Sequence, residues 1–307
     1  MPLFDLHCDT LTECVRKGES LYSNSLHWDV SRGRAFGART QVLAVWTPDT
    51  LRGDAAFRAA ETAIQLAYDA QAQYAPALRL WQKQQPFFDE SGDACVGILA
   101  LESAAALGGS LVRLEELLQK GVKVVTLTWN GDNEVASGVE GDASRGLTAF
   151  GKDVIRVMER EKAVSDVSHL NERGFWDVCA WSDRPFIASH SVSKAVFDHR
   201  RNLTDAQFDE IVRRGGLVGL NLCAAQLGEQ SFDRWERHLA HFLERGGENH
   251  LALGLDLDGT TLPDAWNGID VYAALFRYLQ RRGYAESLLS ALFYENARKF
   301  FKKNEKM

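Results

Sequence analysis

The chain has 307 residues, of which 45% are hydrophobic and 25% are charged, the composition of an ordinary soluble globular protein. Its formal net charge of −7 and sequence pI near 5.7 argue against general binding to nucleic acid or to anionic membranes. The length allows one large domain or two small ones.

Eight short apolar runs of strand type recur along the chain, rich in Val, Leu and Ile on both faces. They cover residues 3–8, 40–46, 94–101, 122–128, 163–168, 185–190, 216–222 and 250–257. Runs of this kind are typical of parallel strands that are buried on both sides.

Amphipathic segments of helix length separate most of these runs. The predicted helices cover residues 53–83, 109–119, 147–161, 172–181, 204–214, 231–246 and 270–301. The fifth begins with the capping pattern Thr204-Asp205-Ala206-Gln207. The segment 129–150, rich in Gly, Asp and Asn, is longer than most connections, and we expect it to overhang the mouth of the fold.

Eight strands with interleaved helices predict an α/β fold, the (β/α)8 TIM barrel, whose usual size is about 250 residues. A doubly wound open sheet is the main alternative, but it rarely needs eight strands. It would also carry a Gly-rich phosphate loop after the first strand, and the sequence has none there. Because no Pro/Gly/Ser-rich linker divides the chain, we predict one barrel domain over residues 1–307 with a C-terminal helical segment.

Metal-binding types of side chain stand at the ends of several predicted strands. His7 and Asp9 are two positions apart at the end of the first, so they share one face. Glu102, His169 and His190 end the third, fifth and sixth. Active sites of such barrels lie at the carboxyl ends of the strands. Imidazole and carboxylate ligands without thiolate favour zinc, manganese or iron, and one carboxylate can bridge two ions.

Two further features belong to this end of the predicted barrel. Asp256 and Asp258 end the eighth strand. Arg200 and Arg201 follow the strand of His190, and a guanidinium group matches a carboxylate in shape and charge. The two arginines therefore either bind the anionic end of a substrate or are solvated loop residues.

The remaining histidines have no comparable setting and are interpreted as ordinary residues: His27, His199, His238, His241 and His250. His238 and His241 lie three positions apart on a predicted helix, and we expect an exposed pair there rather than a metal site.

The five cysteines are scattered and form no Cys-x-x-Cys pair, which favours buried thiols in a reducing compartment. The N-terminus lacks a basic segment followed by an apolar stretch, and no run reaches about 18 apolar residues. We therefore expect a cytoplasmic protein that is not anchored to a membrane.

In their order and spacing, these motifs resemble the membrane dipeptidase (renal dipeptidase) family of zinc peptidases, within the wider amidohydrolase-type barrels. The resemblance covers nearly the whole chain. It rests on Asp5-Leu6-His7-Cys8-Asp9, Leu101-Glu102, Asp166-Val167-Ser168-His169, Ser189-His190-Ser191, Arg200-Arg201-Asn202 and Gly254-Leu255-Asp256-Leu257-Asp258-Gly259. The gaps of 21 residues from His169 to His190 and of 11 from His190 to Arg201 also fit the family pattern.

The resemblance implies a metallopeptidase with a binuclear zinc centre. In that scheme His7 and Asp9 hold one Zn2+, and His169 and His190 hold the other. Glu102 bridges the two ions and counts among the catalytic residues. A metal-bridging hydroxide then hydrolyses the peptide bond of small dipeptides, including those with a D-residue on the C-terminal side.

The resemblance also implies roles in substrate binding. Arg201 would bind the terminal carboxylate of the dipeptide. Asp256 would lie near the scissile bond and the free amine, where it binds substrate and moves protons. Barrels of this family commonly pair, so the resemblance further implies a homodimer.

The chain departs from the family at one position. Membrane-bound members carry a His after the Thr of the fourth strand, whereas this chain reads Thr126-Leu127-Thr128-Trp129. Because Trp has one N–H donor and no basic nitrogen, we expect Trp129 to line the substrate pocket. The departure bears on the choice of substrate more than on metal-dependent hydrolysis.

Two alternatives stay open at this point. Another amidohydrolase would act on an N-acyl amino acid, a lactone or a cyclic amide, but such barrels usually begin with His-x-His and use a lysine carbamate as the bridge. A barrel that binds metal or partners without turnover would be expected to lack a ligand, and all five candidate ligands are present.

Overall fold

The computed structural model describes residues 1–82 and 94–306. Within these residues, nine parallel strands form one sheet. The strands are β1 (Leu3–Cys8), β2 (Arg39–Trp46), β3 (Leu78–Leu80), β4 (Cys95–Glu102), β5 (Val122–Thr126), β6 (Val164–Asp166), β7 (Ile187–Ala188), β8 (Leu217–Leu220) and β9 (Leu251–Leu253).

Eight of the nine strands close into a barrel, which confirms the predicted (β/α)8 fold. The order around the barrel is β1-β2-β4-β5-β6-β7-β8-β9, and β9 pairs with β1 to complete it. The sequence did not predict β3, which pairs with the first residues of β4, from Cys95 to Gly97. The later part of β4, from Leu99 to Glu102, pairs with β5, so β3 lies beside β5 on one edge of β4.

Helices surround the barrel. They are α1 (Thr10–Lys17), α2 (Val30–Gly33), α3 (Gly53–Tyr74), α4 (Leu111–Gln119), α5 (Ala149–Arg160), α6 (Glu172–Trp181), α7 (Asp205–Arg213), α8 (Ala224–Leu227), α9 (Phe232–Glu244), α10 (Val271–Arg281), α11 (Glu286–Ser290) and α12 (Asn296–Lys306). A π-helical turn, Ala291–Glu295, joins α11 to α12. None of these helices is long and apolar enough to cross a lipid bilayer.

Two predicted helices end earlier than the periodicity suggests. The helix predicted over 53–83 ends at Tyr74, because Ala75 precedes Pro76 and is extended; residue 83 lies outside the described residues. The single helix predicted over 270–301 is wrong. Gly283, at φ 87°, adopts the left-handed conformation that ends α10, and the chain begins again with α11.

The predicted capping box of α7 is confirmed. The Thr204 hydroxyl accepts a hydrogen bond from the backbone N–H of Gln207, and the Gln207 side chain accepts one from the backbone N–H of Thr204 at 2.9 Å. These two bonds satisfy backbone donors that the first turn of a helix leaves without partners.

The interior of the barrel is apolar near the ends where the strands begin. Its cluster includes Phe4, Leu6 and Val96 together with Phe300 and Phe301 of α12. The rings of Phe4 and Phe301 stack, with centroids 5.3 Å apart. The C-terminal helix therefore closes this end of the barrel, and we call it the lower end.

Candidate metal centre

The opposite, upper end of the barrel gathers all five predicted metal ligands. His7, Asp9, Glu102, His169 and His190 lie there, and none is more than 8% exposed to solvent. They follow or end four strands that are far apart in the sequence. The barrel thus brings into one buried cluster the side chains that the sequence placed at separate strand ends.

Glu102 lies at the centre of the cluster with its two oxygens facing different histidines. Oε2 is 3.4 Å from His7 Nε2. Oε1 is 3.1 Å from His169 Nε2 and 3.6 Å from His190 Nε2. This is the orientation that a carboxylate needs in order to bridge two cations.

A second group of potential ligands surrounds His7. Its Nε2 is 3.7 Å from Asp9 Oδ2 and 3.9 Å from Asp256 Oδ1. The sequence predicted Asp256 as a proton carrier and substrate contact; the structure also places it within reach of a cation held by His7 and Asp9.

The electrostatics of the cluster fit a divalent metal. His7 Nε2 and Asp9 Oδ1 are buried and have no hydrogen-bond partner among the described residues. Burial and the nearby charge of Glu102 raise the pKa of Asp9 to about 7. Burial, reinforced by Asp9 and Glu102, raises the pKa of Asp256 well above its usual range. Burial lowers the pKa of His7, but the charges of Glu102 and Asp9 outweigh it and raise that pKa well above its usual range. A divalent cation would take the place of the His7 proton and offset the repulsion among these carboxylates.

The two histidines on the other side of Glu102 are held neutral. Burial, and then the charge of Arg201, lowers the pKa of His169 to about 4. Burial, and then the charge of His7, lowers the pKa of His190 well below its usual range. Neutral imidazole is the form that binds a metal, so both groups fit a ligand role.

The backbone at this end adopts unusual conformations. Ser103, His169, Asp256 and Asp258 have φ values of 78°, 67°, 63° and 68°, in the left-handed region that residues other than glycine rarely occupy. Each such residue costs about 1–2 kcal/mol. Two of the four are candidate site residues, so local strain helps to aim functional side chains.

Two further backbone features shape the site, and sequence patterns did not reveal them. The pairing of β1 with β2 shifts register between Asp5 and Cys8, and this irregularity lets Leu6 and His7 both point into the barrel. A Cβ at Gly259 would lie 2.1 Å from Asp9 Oδ2 and 2.2 Å from Asp256 Oδ1. Glycine at that position leaves room for both carboxylates.

A cavity of about 720 Å³ opens above the cluster. Its wall contains Asp256, Arg201 and Trp129, the three residues predicted to contact substrate. The ring of Trp129 packs edge-on against Trp46, with centroids 5.3 Å apart, and lies 6.1 Å from the ring of His169. The sequence did not single out Trp46, because one aromatic residue at a strand end gives no signal of its own.

Of the two arginines in the loop after His190, one enters the cavity. Arg201 is 8% exposed, and its Nη2 atom is buried without a hydrogen-bond partner among the described residues. Arg200 is largely exposed and lies 3.9 Å from Glu140. The first interpretation, an anion-binding group, therefore fits Arg201, and the second, a solvated residue, fits Arg200.

The other histidines are mostly structural. The expectation of an exposed pair on α9 is wrong for His238, which is completely buried; its Nδ1 accepts a hydrogen bond from the backbone N–H of Ser193 at 3.1 Å. His241 contacts Asp205 at 2.7 Å. His199, interpreted as ordinary, lines the cavity beside Arg201.

Comparison with known proteins identifies the family of this chain. Residues 1–307 match the model of a family described as membrane dipeptidase (Peptidase family M19). The chain is 35% identical over 209 residues to an uncharacterized protein in the pqqA 5′ region of Klebsiella pneumoniae, which covers 64% of this chain and 77% of that protein. It is 28% identical over 218 residues to an uncharacterized dipeptidase of Schizosaccharomyces pombe, covering 67% of this chain and 52% of that protein.

Two solved structures superpose on nearly the whole chain. One is the dipeptidase AC, a metallo peptidase of family M19, with a TM-score of 0.90 and 27% identity over 100% of this chain and 99% of the other. The second is a metallo peptidase from Rhodobacter sphaeroides, liganded with a phosphinate mimic of the dipeptide L-Ala-D-Ala. Its TM-score is 0.88 and its identity 26%, over 99% of both chains.

Proposed function

This chain belongs to the membrane dipeptidase family and is a metal-dependent dipeptidase, and on that premise we propose that its active form holds two zinc ions and cleaves small dipeptides. The observation that carries the proposal is the orientation of Glu102, whose two oxygens face His7 on one side and His169 and His190 on the other.

The ligands divide into two sets around Glu102. His7 and Asp9 would hold one ion, with Asp256 within reach of it, and His169 and His190 would hold the other. When bound, the two ions would supply Lewis-acid chemistry: they would lower the pKa of water toward neutral pH and polarise the scissile carbonyl.

Arg201 would bind the carboxylate of the dipeptide. Its guanidinium group is buried in the wall of the cavity, and one nitrogen has no partner in the part of the chain that the structure describes, so a carboxylate would supply the missing hydrogen bonds. Fixing the C-terminal end at this point limits the substrate to a length that the cavity accommodates. This accounts for a dipeptidase rather than an endopeptidase.

Asp256 would handle the protons of the reaction. It lies in the wall of the same cavity, and its Oδ1 is 3.9 Å from His7 Nε2, next to the candidate ligands. From there the carboxylate accepts a proton from the attacking water and delivers it to the leaving amine. It also offers a negative charge to the free amine of the substrate.

We extend the proposal to dipeptides with a D-residue on the C-terminal side. The similar metallo peptidase from Rhodobacter sphaeroides carries a mimic of L-Ala-D-Ala. In this chain the aromatic wall formed by Trp46 and Trp129 borders the cavity and would contact the substrate side chains.

A panel of L-L and L-D dipeptides tests the proposal. Amino-acid release should require zinc and stop in a matched sample treated with a chelator. Dipeptide amides serve as controls, because they lack the carboxylate that Arg201 would bind. A protein that holds two zinc ions yet releases nothing from the whole panel would contradict the dipeptide proposal and favour another amide or ester.

We also propose that the enzyme works in the reducing environment of the cytoplasm. Its five cysteines are all unpaired, and Cys8, Cys14 and Cys95 are buried. Fractionation of the native cells should place the dipeptidase activity in the cytosolic fraction; activity found outside the cells would contradict this location.

A further inference from the structure

A series of buried, hydrogen-bonded polar side chains lies directly behind His169 and His190. Asp166, at the end of β6, is completely buried and accepts four hydrogen bonds. Its Oδ1 accepts from the backbone N–H groups of Ser168 and Ser189 at 3.0 and 2.9 Å. Its Oδ2 accepts from the hydroxyls of Thr126 and Ser189, each at 2.6 Å. One carboxylate thus holds the residues that precede His169 and His190.

The position of one hydrogen atom follows from these contacts. The hydroxyl of Ser189 has a single hydrogen and two strong neighbours, Asp166 Oδ2 at 2.6 Å and His190 Nδ1 at 2.8 Å. A carboxylate is the better acceptor, because a charge-assisted hydrogen bond is shorter and roughly twice as strong as a neutral one. The hydroxyl therefore donates to Asp166 and has only lone pairs to offer His190.

The contact with Ser189 favours one tautomer of His190. Its Nδ1 faces an acceptor, so Nδ1 carries the proton and Nε2 does not. Nε2 is the atom that faces the candidate metal centre, 2.9 Å from His169 Nε2 and 3.6 Å from Glu102 Oε1. The chain from Asp166 through Ser189 therefore leaves free the nitrogen that a metal would bind.

His169 reaches the same state through a different partner. Its Nδ1 lies 2.7 Å from Asn130 Oδ1, and a side-chain amide oxygen only accepts hydrogen bonds. Nδ1 of His169 is therefore also the protonated nitrogen, and its Nε2 faces Glu102. The Nδ1 partners of the two histidines are separate, whereas their Nε2 atoms lie only 2.9 Å apart, and a cation bound by both would relieve the contact between the two lone pairs.

We propose that Asp166 is a positioning residue that, through the hydroxyl of Ser189, holds His190 in the tautomer competent to bind the second metal ion. The part of this inference that concerns the metal rests on the proposed function. The part that concerns the tautomer rests only on the hydrogen bonds around Asp166 and Ser189. Removing the hydrogen-bond partner of a metal-binding histidine typically lowers metal affinity about 10–100-fold, and we expect a loss of that size here.

Asp166→Asn is the informative substitution. Asn keeps an oxygen for the two backbone N–H groups but places an NH2 group where Oδ2 was. The hydroxyls of Thr126 and Ser189 can rotate to accept from it, so we expect the fold to survive. The Ser189 hydrogen is then released toward His190 Nδ1, and the favoured tautomer carries its proton on Nε2.

Two further variants distinguish this hydrogen-bond relay, from Asp166 through Ser189 to His190, from a general loosening of the site. Thr126→Val removes the other hydroxyl that donates to the same oxygen, without touching the histidine, and should leave zinc binding as in the wild type. Ser189→Ala removes the relay itself. Adding it to Asp166→Asn should leave zinc affinity unchanged or partly restored relative to Asp166→Asn alone, because the misdirected hydroxyl is gone.

Zinc titration of the full chain against a competing chelating dye provides the measurement. We expect the wild type to bind two ions and Asp166→Asn to bind the second about 10–100-fold more weakly. Wild-type affinity at both sites in Asp166→Asn, or a double variant weakened by the product of the single effects, would overturn the relay. A wild type that binds no zinc would instead contradict the proposed function.

Nitrogen NMR of histidine-labelled, zinc-free chain tests the tautomer without any metal, with signals assigned by their loss in His190→Gln. The form of His190 protonated on Nδ1 should be more populated in the wild type than in Asp166→Asn, where the form protonated on Nε2 gains and can donate to His169 Nε2. A wild-type His190 protonated on Nε2, or no change in Asp166→Asn, would overturn the inference.

Discussion

The two ends of the barrel contain opposite kinds of side chain, apolar at one end and polar at the other. At the lower end, Phe4 and Leu6 pack against Phe300 and Phe301 of α12 in an apolar cluster that is almost fully buried. At the upper end, buried carboxylates and imidazoles face one another, and several of the residues involved have left-handed backbones. Apolar burial favours folding, whereas buried charges and strained backbone oppose it.

Stability and function reside at different ends of this barrel. The packing of Phe4, Leu6, Phe300 and Phe301 at the lower end consists of apolar contacts, so it contributes to stability rather than to chemistry. The upper end keeps buried polar atoms that have no hydrogen-bond partner among the described residues, such as His7 Nε2 and Asp9 Oδ1. Substitutions at the two ends should therefore separate activity from folding.

The largest expected effect is on activity, from Glu102→Gln at the upper end. Gln keeps the size of the side chain but replaces one of the two oxygens that face the histidines. We expect kcat/KM to fall at least on the order of 10³-fold, as for other losses of electrostatic stabilisation. Unchanged turnover would remove Glu102 from the mechanism.

Phe301→Ala tests the lower end and should give the opposite result. Phe301 is completely buried and stacks on Phe4, so truncation leaves a cavity that lowers the free energy of unfolding by about 3–5 kcal/mol. The kcat/KM of the folded fraction should stay near the wild-type value. Val112→Ala, at a side chain that is 61% exposed, is the matched control, with an expected change below about 0.5 kcal/mol. A selective loss of activity in Phe301→Ala would break the separation between the two ends.

We expect the buried His238 to make the free energy of unfolding depend on pH. Burial, and then the charges of Arg234 and His241, lower its pKa to about 4, although its hydrogen bonds to Leu227 and Ser193 act the other way. The unfolded chain takes up this proton near pH 6.5, and the folded chain does so only near pH 4. Its contribution to stability is therefore complete above about pH 6.5 and is lost as the pH falls toward 4, by at most about 3 kcal/mol.

Urea unfolding between pH 7 and pH 4 measures this loss, with chelator present so that metal release does not contribute. His238→Asn keeps an acceptor for the Ser193 N–H and should flatten part of the slope relative to the wild type. Identical slopes in the two proteins would show that His238 does not couple to folding.

Much of the fold and the ligand set could be predicted because the signals are local. A strand that ends in His7-x-Asp9 or in Glu102 shows its apolar run and its polar end in consecutive residues. A parallel barrel then requires all such ends to meet on one side. The order of the motifs therefore placed the candidate ligands together before any distance was known.

What the sequence missed depends on partners that are distant in the chain. The irregular pairing that turns His7 inward involves β2, and the close approach that excludes a Cβ at Gly259 involves Asp9, 250 positions earlier. The burial of His238 depends on the loop around Ser193 and on the end of α8 at Leu227 rather than on the periodicity of α9. No window of neighbouring residues contains this information.

Arg201→Lys should have an intermediate effect that is specific to one end of the substrate. Lys keeps the charge but cannot bind a carboxylate with two parallel N–H groups. Losing one charge-assisted hydrogen bond predicts a fall of about 10–100-fold in kcat/KM for dipeptides. The rise in KM should exceed the fall in kcat. Dipeptide amides should be affected much less, and an equal loss on both substrates would contradict a role in binding the carboxylate.

Trp129→His should have the smallest effect and tests how far the upper end tolerates change without loss of chemistry. Trp129 packs edge-on against Trp46, a contact worth about 0.5–1.5 kcal/mol, and it lies in the cavity wall rather than among the candidate ligands. We therefore expect less than about a tenfold change for small dipeptides and a larger loss for dipeptides with bulky side chains, since those gain most from an aromatic wall. Trp129→Phe, which keeps an aromatic face, should lose less than Trp129→His on the bulky substrates. A uniform loss of kcat/KM across the dipeptide panel, or a lower zinc content, would mean that the aromatic wall supports the metal centre itself. Chemistry and selectivity would then not be separate functions of different residues at the upper end.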